Sequence, residues 1–141
     1  MELGTFGAIM TFALEVEHEV TSYYESTKQK VKDQDLANTF ESLAARGQKR
    51  VKTIERIRRE NVTEMILEPI SGLYSDTFKP KTSIPETYDD NTLREIAVKI
   101  EKILQAFYAQ AAVKIEFLSE AAYSFELLAE ANEDASRRLS D

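Results

Sequence analysis

The chain has 141 residues and a formal net charge of −7, with 43% hydrophobic and 30% charged residues. This length and balance are typical of one globular domain with a core of its own, and we expect a single domain over residues 1–141. The absence of cysteine excludes disulfides, thiolate zinc sites and cysteine nucleophiles. The negative charge argues against nucleic acid and anionic membranes as partners.

The N-terminal region contains an uncharged stretch of 12 residues from Leu3 to Leu14. This stretch is too short to span a bilayer, which needs about 20 apolar residues in a helix. Glu2 stands where a signal peptide would carry positive charge. We therefore expect the stretch to belong to a mature helix, and we expect a cytoplasmic location.

The first half of the chain predicts two helices. Apolar residues at alternating spacings of three and four predict helix 1 over about residues 3–32 and helix 2 over about residues 34–60. Asp33 is a predicted N-cap for helix 2. The very short link between the two helices predicts an antiparallel hairpin.

The second half predicts a long connection followed by a second hairpin. Residues 61–91 hold all three prolines and the turn signal "SG". The sequence "TLRE", which begins at Thr92, predicts a capping box for helix 3 over about residues 92–114. Ser119 is the predicted cap of helix 4, over about residues 119–139. The chain thus predicts an all-α four-helix bundle of two antiparallel helical hairpins joined by one long crossover.

The two predicted hairpins resemble each other in sequence. "EVEHEVTSYY" aligns with "KIEKILQAFY", and this alignment pairs Glu17 with Glu101 and Tyr24 with Tyr108. Further along, "FESLA" in helix 2 corresponds to "FELLA" in helix 4, at nearly the same distance from the paired tyrosines. The order and spacing of these matches indicate an internal repeat of one helical hairpin.

With "ALEVEHEVTSYYE", "FESLA" and their second-half counterparts, the chain resembles ferritin-like proteins of the rubrerythrin-related kind over nearly its whole length. The resemblance implies a ferritin-like four-helix bundle with a di-metal carboxylate site. Glu17 and Glu101, each seven residues before a tyrosine, match the family's glutamate ligands on helices 1 and 3.

The family's remaining ligands, a Glu-x-x-His motif on each of helices 2 and 4, are missing. The chain has "GQKR" at residues 47–50 and "NEDA" at residues 132–135 instead. Glu130 and Glu133 would replace these ligands only if helix 4 shifted its register. Two carboxylates are a poor site for iron or manganese, so we predict no metal and no cofactor. A retained iron or manganese site is the alternative.

The two matched glutamates lie on the apolar stripes of their helices, where a carboxylate costs several kcal/mol unless it is compensated. Arg50 stands at the lost histidine position of helix 2. We predict a core polar cluster in which Arg50 pairs with Glu17, Glu101 or both, while Tyr24 and Tyr108 add hydroxyl groups.

Other residues carry weaker expectations. His18, the only histidine, lies about 100° around the helix from its neighbour Glu17, so we expect it at the surface. Residues 46–59 hold seven basic side chains and one acidic, which predicts a solvated face that complements acidic helix 4. A second apolar stripe on helix 1 predicts a homo-oligomer, with a dimer as the first expectation; it consists of Ile9, Val16 and Tyr23.

These features favour a protein without di-metal chemistry that serves in binding, assembly or regulation, with no catalytic residue. The resemblance also implies an alternative, a di-iron or di-manganese oxidoreductase of the peroxidase or ferroxidase kind. A second alternative is a small-ligand carrier, whose cavity would lie where Gly47, Asn132 and Ala135 replace larger residues. We expect Gly47 to leave room beside Arg50.

Overall fold

A computed structural model describes residues 1–61 and 68–141, and residues 62–67 of the predicted crossover lie outside this part. The described chain is all-helical, with one isolated bridge between Glu2 and Tyr74 and no strand. None of its helices is both long and apolar enough to cross a membrane. The elements are α1 (Phe6–Thr27), α2 (Gln34–Glu60), the short 3₁₀-helix η1 (Ser75–Phe78), α3 (Asp90–Lys114) and α4 (Ser119–Ser140).

Helix α1 is shorter than predicted at its N-terminal end. It begins at Phe6 because the Thr5 hydroxyl accepts the N–H of Ala8 and caps the first turn. The residues before the cap pair with the long connection, where the Leu3 N–H donates to the Leu73 carbonyl at 2.8 Å. The apolar Leu3 is therefore buried without being helical, and the prediction of a helix from residue 3 was wrong.

Helix α1 also ends early, at Thr27 rather than at residue 32. The turn that follows is fixed by Asp90 at the start of α3, whose carboxylate accepts the N–H groups of Lys32 at 2.9 Å and Asp33 at 2.8 Å. The α1–α2 turn and the start of α3 therefore lie at the same end of the bundle.

The helix caps differ in part from the prediction. Asp33 caps α2 by accepting the N–H of Leu36. The N-cap of α3 lies three residues earlier than predicted, because Asp89 is the cap and Thr92 is its partner in the capping box. Ser119 is the first residue of α4 and makes no capping bond, so that prediction was wrong.

Contacts across each hairpin show that its helices run in opposite directions. In the first hairpin, Glu17 of α1 contacts Arg50 of α2, and Tyr24 packs against Phe40, so residue numbers rise along one helix while they fall along the other. The second hairpin has the same arrangement, with contacts from Glu101 to Asn132 and from Tyr108 to Phe125.

The two hairpins face each other with α1 antiparallel to α3. Glu17 contacts Tyr108, whereas Tyr24 contacts Glu101. The described part of the connection, residues 68–89, covers one side of this arrangement. Its Phe78 ring packs against Phe107 of α3, with 5.6 Å between the ring centroids.

Helices α1 and α2 approach closely at Gly47. A Cβ atom added there would lie 1.9 Å from the Oγ1 of Thr21 and 3.0 Å from its Cβ. Thr21 therefore fills the space that the sequence predicted to be open beside Arg50, and that expectation was wrong. Glycine at this position permits the contact between the two helices.

We expect Gly47→Ala to destabilise the fold by about 1–3 kcal/mol, despite the better helix propensity of alanine, because the methyl group overpacks the contact. Urea unfolding measures the effect. In a Thr21→Gly background the same substitution is expected to cost less, since the opposing side chain is gone. Equal costs in both backgrounds would show that Thr21 does not restrict this position.

Candidate functional site

A group of polar side chains lies in the interior between the four helices. The predicted members come together there, and the structure adds two more, one from α2 and one from α4. We call this group the core polar cluster; it consists of Glu17, Tyr24, Arg46, Arg50, Glu101, Tyr108 and Asn132. All members are buried except Arg46, whose side chain is 17% exposed.

Each tyrosine of the internal repeat donates a hydrogen bond to the glutamate of the opposite half. The Tyr24 hydroxyl donates to Glu101 Oε2 at 2.7 Å, and the Tyr108 hydroxyl donates to Glu17 Oε2. The seven-residue spacing places glutamate and tyrosine about two turns apart on one helix. Because α1 and α3 are antiparallel, this spacing brings both reciprocal pairs into contact at once.

Arg50 lies beside Glu17. Its Nη1 donates to Glu17 Oε2 at 3.2 Å and to the Asn132 Oδ1 at 3.0 Å, while its Nη2 donates to the Leu128 carbonyl at 3.2 Å. The link to the second glutamate is indirect, because the Asn132 Nδ2 donates to Glu101 Oε1 at 2.8 Å. Asn132 thus joins the two halves of the cluster.

Arg46 is the partner of Glu101 and was not among the residues predicted from the sequence. Its Nη1 and Nη2 donate to the two carboxylate oxygens, each at 2.7 Å, in a bidentate ion pair. Its guanidinium carbon also lies 6.0 Å from the centroid of the Tyr24 ring. A signal was present, since Arg46 precedes Arg50 by four residues and so lies on the same side of α2.

The pKa values of Glu101 and of both tyrosines are shifted within the cluster. Burial acts to raise the pKa of Glu101, but the Arg46 charge and the hydrogen bonds outweigh it and hold this pKa below its ordinary value of 4.5. Burial, together with the neighbouring carboxylates, raises the pKa values of Tyr24 and Tyr108 well above 10. At neutral pH Glu101 is therefore a carboxylate and both tyrosines are donors.

The donor set does not suit a di-metal centre. In the described ranges, no group of three or more histidine, aspartate or glutamate side chains is placed to hold a metal ion. Both oxygens of Glu101 already accept hydrogen bonds from Arg46, and the two guanidinium groups would repel a divalent cation. Of the alternative ligands, Glu130 is exposed and Glu133 pairs with Arg137 on α4.

One prediction about the surface is wrong, and a second holds in part, since five of the seven basic side chains in residues 46–59 are exposed. The second apolar stripe of α1 is buried within the chain, where the Tyr23 hydroxyl donates to the Leu93 carbonyl at 2.8 Å, so this stripe is no oligomer surface. The basic stretch of α2 is not wholly a solvated face either, because Arg46 and Arg50 enter the interior. Among the described residues, no ion pair joins α2 to α4. His18 is exposed.

Comparison with known proteins finds no match among family models, curated proteins or solved structures.

We expect Arg46→Met to destabilise the protein by about 3–5 kcal/mol at neutral pH, because it leaves the buried Glu101 carboxylate without its cation. Chemical denaturation measures this loss. Lys49→Met, an exposed change on the same helix, is the matched control and is expected to stay within about 0.5 kcal/mol of wild type. Adding Glu101→Gln to Arg46→Met is expected to recover part of the loss.

The lowered pKa of Glu101 predicts a specific acid dependence. Its contribution to the free energy of unfolding is complete above its ordinary pKa of 4.5 and is lost as the pH falls through its lower folded-state pKa, because the unfolded chain takes up the proton first. The difference in this free energy between wild type and Glu101→Gln is therefore expected to shrink below about pH 4.5. Urea unfolding across this range measures it, and a constant difference would contradict the assignment.

Proposed function

We propose that the chain is a ferritin-like, rubrerythrin-related bundle in which the core polar cluster has replaced the di-metal centre. In this proposal the protein is not an enzyme and serves in binding, assembly or regulation. The support comes from position: Glu17 and Glu101 occupy the glutamate places of the resemblance, and Arg50 occupies the histidine place on α2.

The helix directions support the ferritin-like part of the proposal. Helix α1 is antiparallel both to α2 and to α3, as the contacts of Glu17 and Tyr24 indicate. Helices α2 and α3 therefore point the same way, which requires their connection to run the length of the bundle. One such crossover between two hairpins is the arrangement of ferritin-like folds.

The observation that carries the functional part is the ion pairing of both interior glutamates with arginines. Glu101 is paired with Arg46 and Glu17 with Arg50, so two negative charges meet two positive charges. A redox metal centre needs carboxylate oxygens free for the metal and a position open to substrate. In this protein, arginine, tyrosine and asparagine side chains donate hydrogen bonds to the carboxylate oxygens that a metal would need.

The oxidoreductase alternative would require both arginines to leave the interior.

The carrier alternative required space at three positions, and two of them are filled. Thr21 occupies the space beside Gly47, and Asn132 hydrogen-bonds both Arg50 and Glu101. The geometry therefore favours a closed interior over a ligand cavity, and the binding role falls to the surface.

Metal analysis tests the proposal. Protein produced with iron and manganese in the medium is expected to contain far less than one ion per chain, because the arginines neutralise the carboxylates. Elemental analysis of the purified protein and its absorption spectrum provide the measurement. About two ions per chain with a carboxylate-bridged iron absorption would overturn the proposal.

Arg50→His is the matched variant for this experiment, since it restores one family ligand and removes one cation. It is expected to bind no metal by itself, because Arg46 still pairs with Glu101. Metal uptake by wild type and by this variant alike would show that the arginines do not block the site.

A further inference from the structure

A groove of about 660 Å³ lies between the segment that follows η1 and the outer face of α3. Its lining combines apolar side chains, among them Ile96 and Ile103, with lysines from both walls and a single glutamate, Glu95. Four lysines gather here, although the chain as a whole is negative. We call this surface the lysine groove; its basic residues are Lys79, Lys81, Lys99 and Lys102.

The lysines of the groove are largely free to meet a partner. Within the described part of the chain, Lys79 is the only one with an ion-pair partner, Asp76 at 3.6 Å. Lys99 and Lys102 lie three residues apart on the exposed side of α3, beside the half-buried Ile103. The groove thus offers apolar contact flanked by positive charge, which suits an apolar ridge flanked by negative charge.

The outward face of α4 carries such a ridge. Tyr123 is 60% exposed and Leu127 is 46% exposed, and the two lie one turn apart on the side opposite the core. Exposed acidic side chains surround them, and none pairs with a basic group of the described residues. We call this surface the α4 ridge; it consists of Glu120, Tyr123, Glu126, Leu127 and Glu130.

We propose that the lysine groove of one molecule binds the α4 ridge of a second copy of this chain. One molecule carries both surfaces: an apolar groove with excess lysines and an apolar ridge with excess glutamates. Tyr123 and Leu127 would enter the groove, while the glutamates meet Lys99 and Lys102 at its edge.

The two surfaces are different patches, so one groove–ridge contact joins two molecules head-to-tail. In an open assembly of such contacts, the molecule at one end keeps a free groove and the molecule at the other end keeps a free ridge. The inference is independent of the proposed loss of metal, because neither surface includes a residue of the core polar cluster.

Two variants separate the surfaces. The groove variant, Lys99→Glu with Lys102→Glu, reverses the charge of the groove and keeps the ridge. The ridge variant, Tyr123→Ala with Leu127→Ala, removes the apolar anchors and keeps the groove. All four positions are exposed, and circular dichroism with thermal unfolding checks that each variant is folded.

Sedimentation analysis is expected to show wild type associating beyond 16.1 kDa. The association weakens between about 0.05 and 0.5 M salt, because exposed ion pairs are screened. Each variant alone is expected to associate at least about ten-fold more weakly than wild type. Their mixture is expected to form a one-to-one complex, since each variant supplies the surface that the other lacks.

Lys49→Glu with Lys52→Glu is the matched control, because it reverses two exposed charges of α2 outside both surfaces. This control is expected to associate as wild type does. The proposal is overturned if wild type stays monomeric at all concentrations, or if the mixture of the two variants forms no complex. Association of either variant with wild-type strength also overturns it.

Discussion

The structure depends on the neutralisation of two carboxylates buried between its helices. Glu17 and Glu101 are buried between the helices, where a carboxylate left without its cation would cost about 3–5 kcal/mol, a large part of the stability of a domain. Two guanidinium groups and two tyrosine hydroxyls surround them. All four helices supply a member of this cluster, so the register of each helix is tied to the positions of the others.

Such a cluster is better understood as a determinant of arrangement than as a source of stability. A buried ion pair adds little over well-packed apolar residues, because desolvation of both charges offsets their attraction. Its hydrogen bonds are directional, however, and a sliding or rotated helix would break several of them at once. Asn132 strengthens this effect, since its amide contacts Arg50 on one side and Glu101 on the other.

In the proposed function the binding role lies on the surface, because the interior charges pair with each other. There the charge is unevenly distributed: lysines line the groove beside α3, while glutamates surround the exposed apolar side chains of α4. Solvation explains the difference between the charges of the interior and those of the surface. Opposite charges pair within the chain where water is excluded, and the unpaired ones remain where water or a second molecule can solvate them.

The sequence by itself determined the helices of the bundle and most of the cluster, because apolar periodicity and the internal repeat fix which way a side chain leaves its helix. It placed Glu17 and Glu101 inward and identified Arg50 on the same seam. The four-residue spacing placed Arg46 on the same side of α2 as Arg50, but only the tertiary structure showed that its side chain reaches Glu101 on α3. Packing also decided that Leu3 meets the connection and that Thr21 fills the space beside Gly47. Spacing along one helix predicts the direction in which a side chain points, whereas its contacts depend on which side chains the neighbouring elements place there.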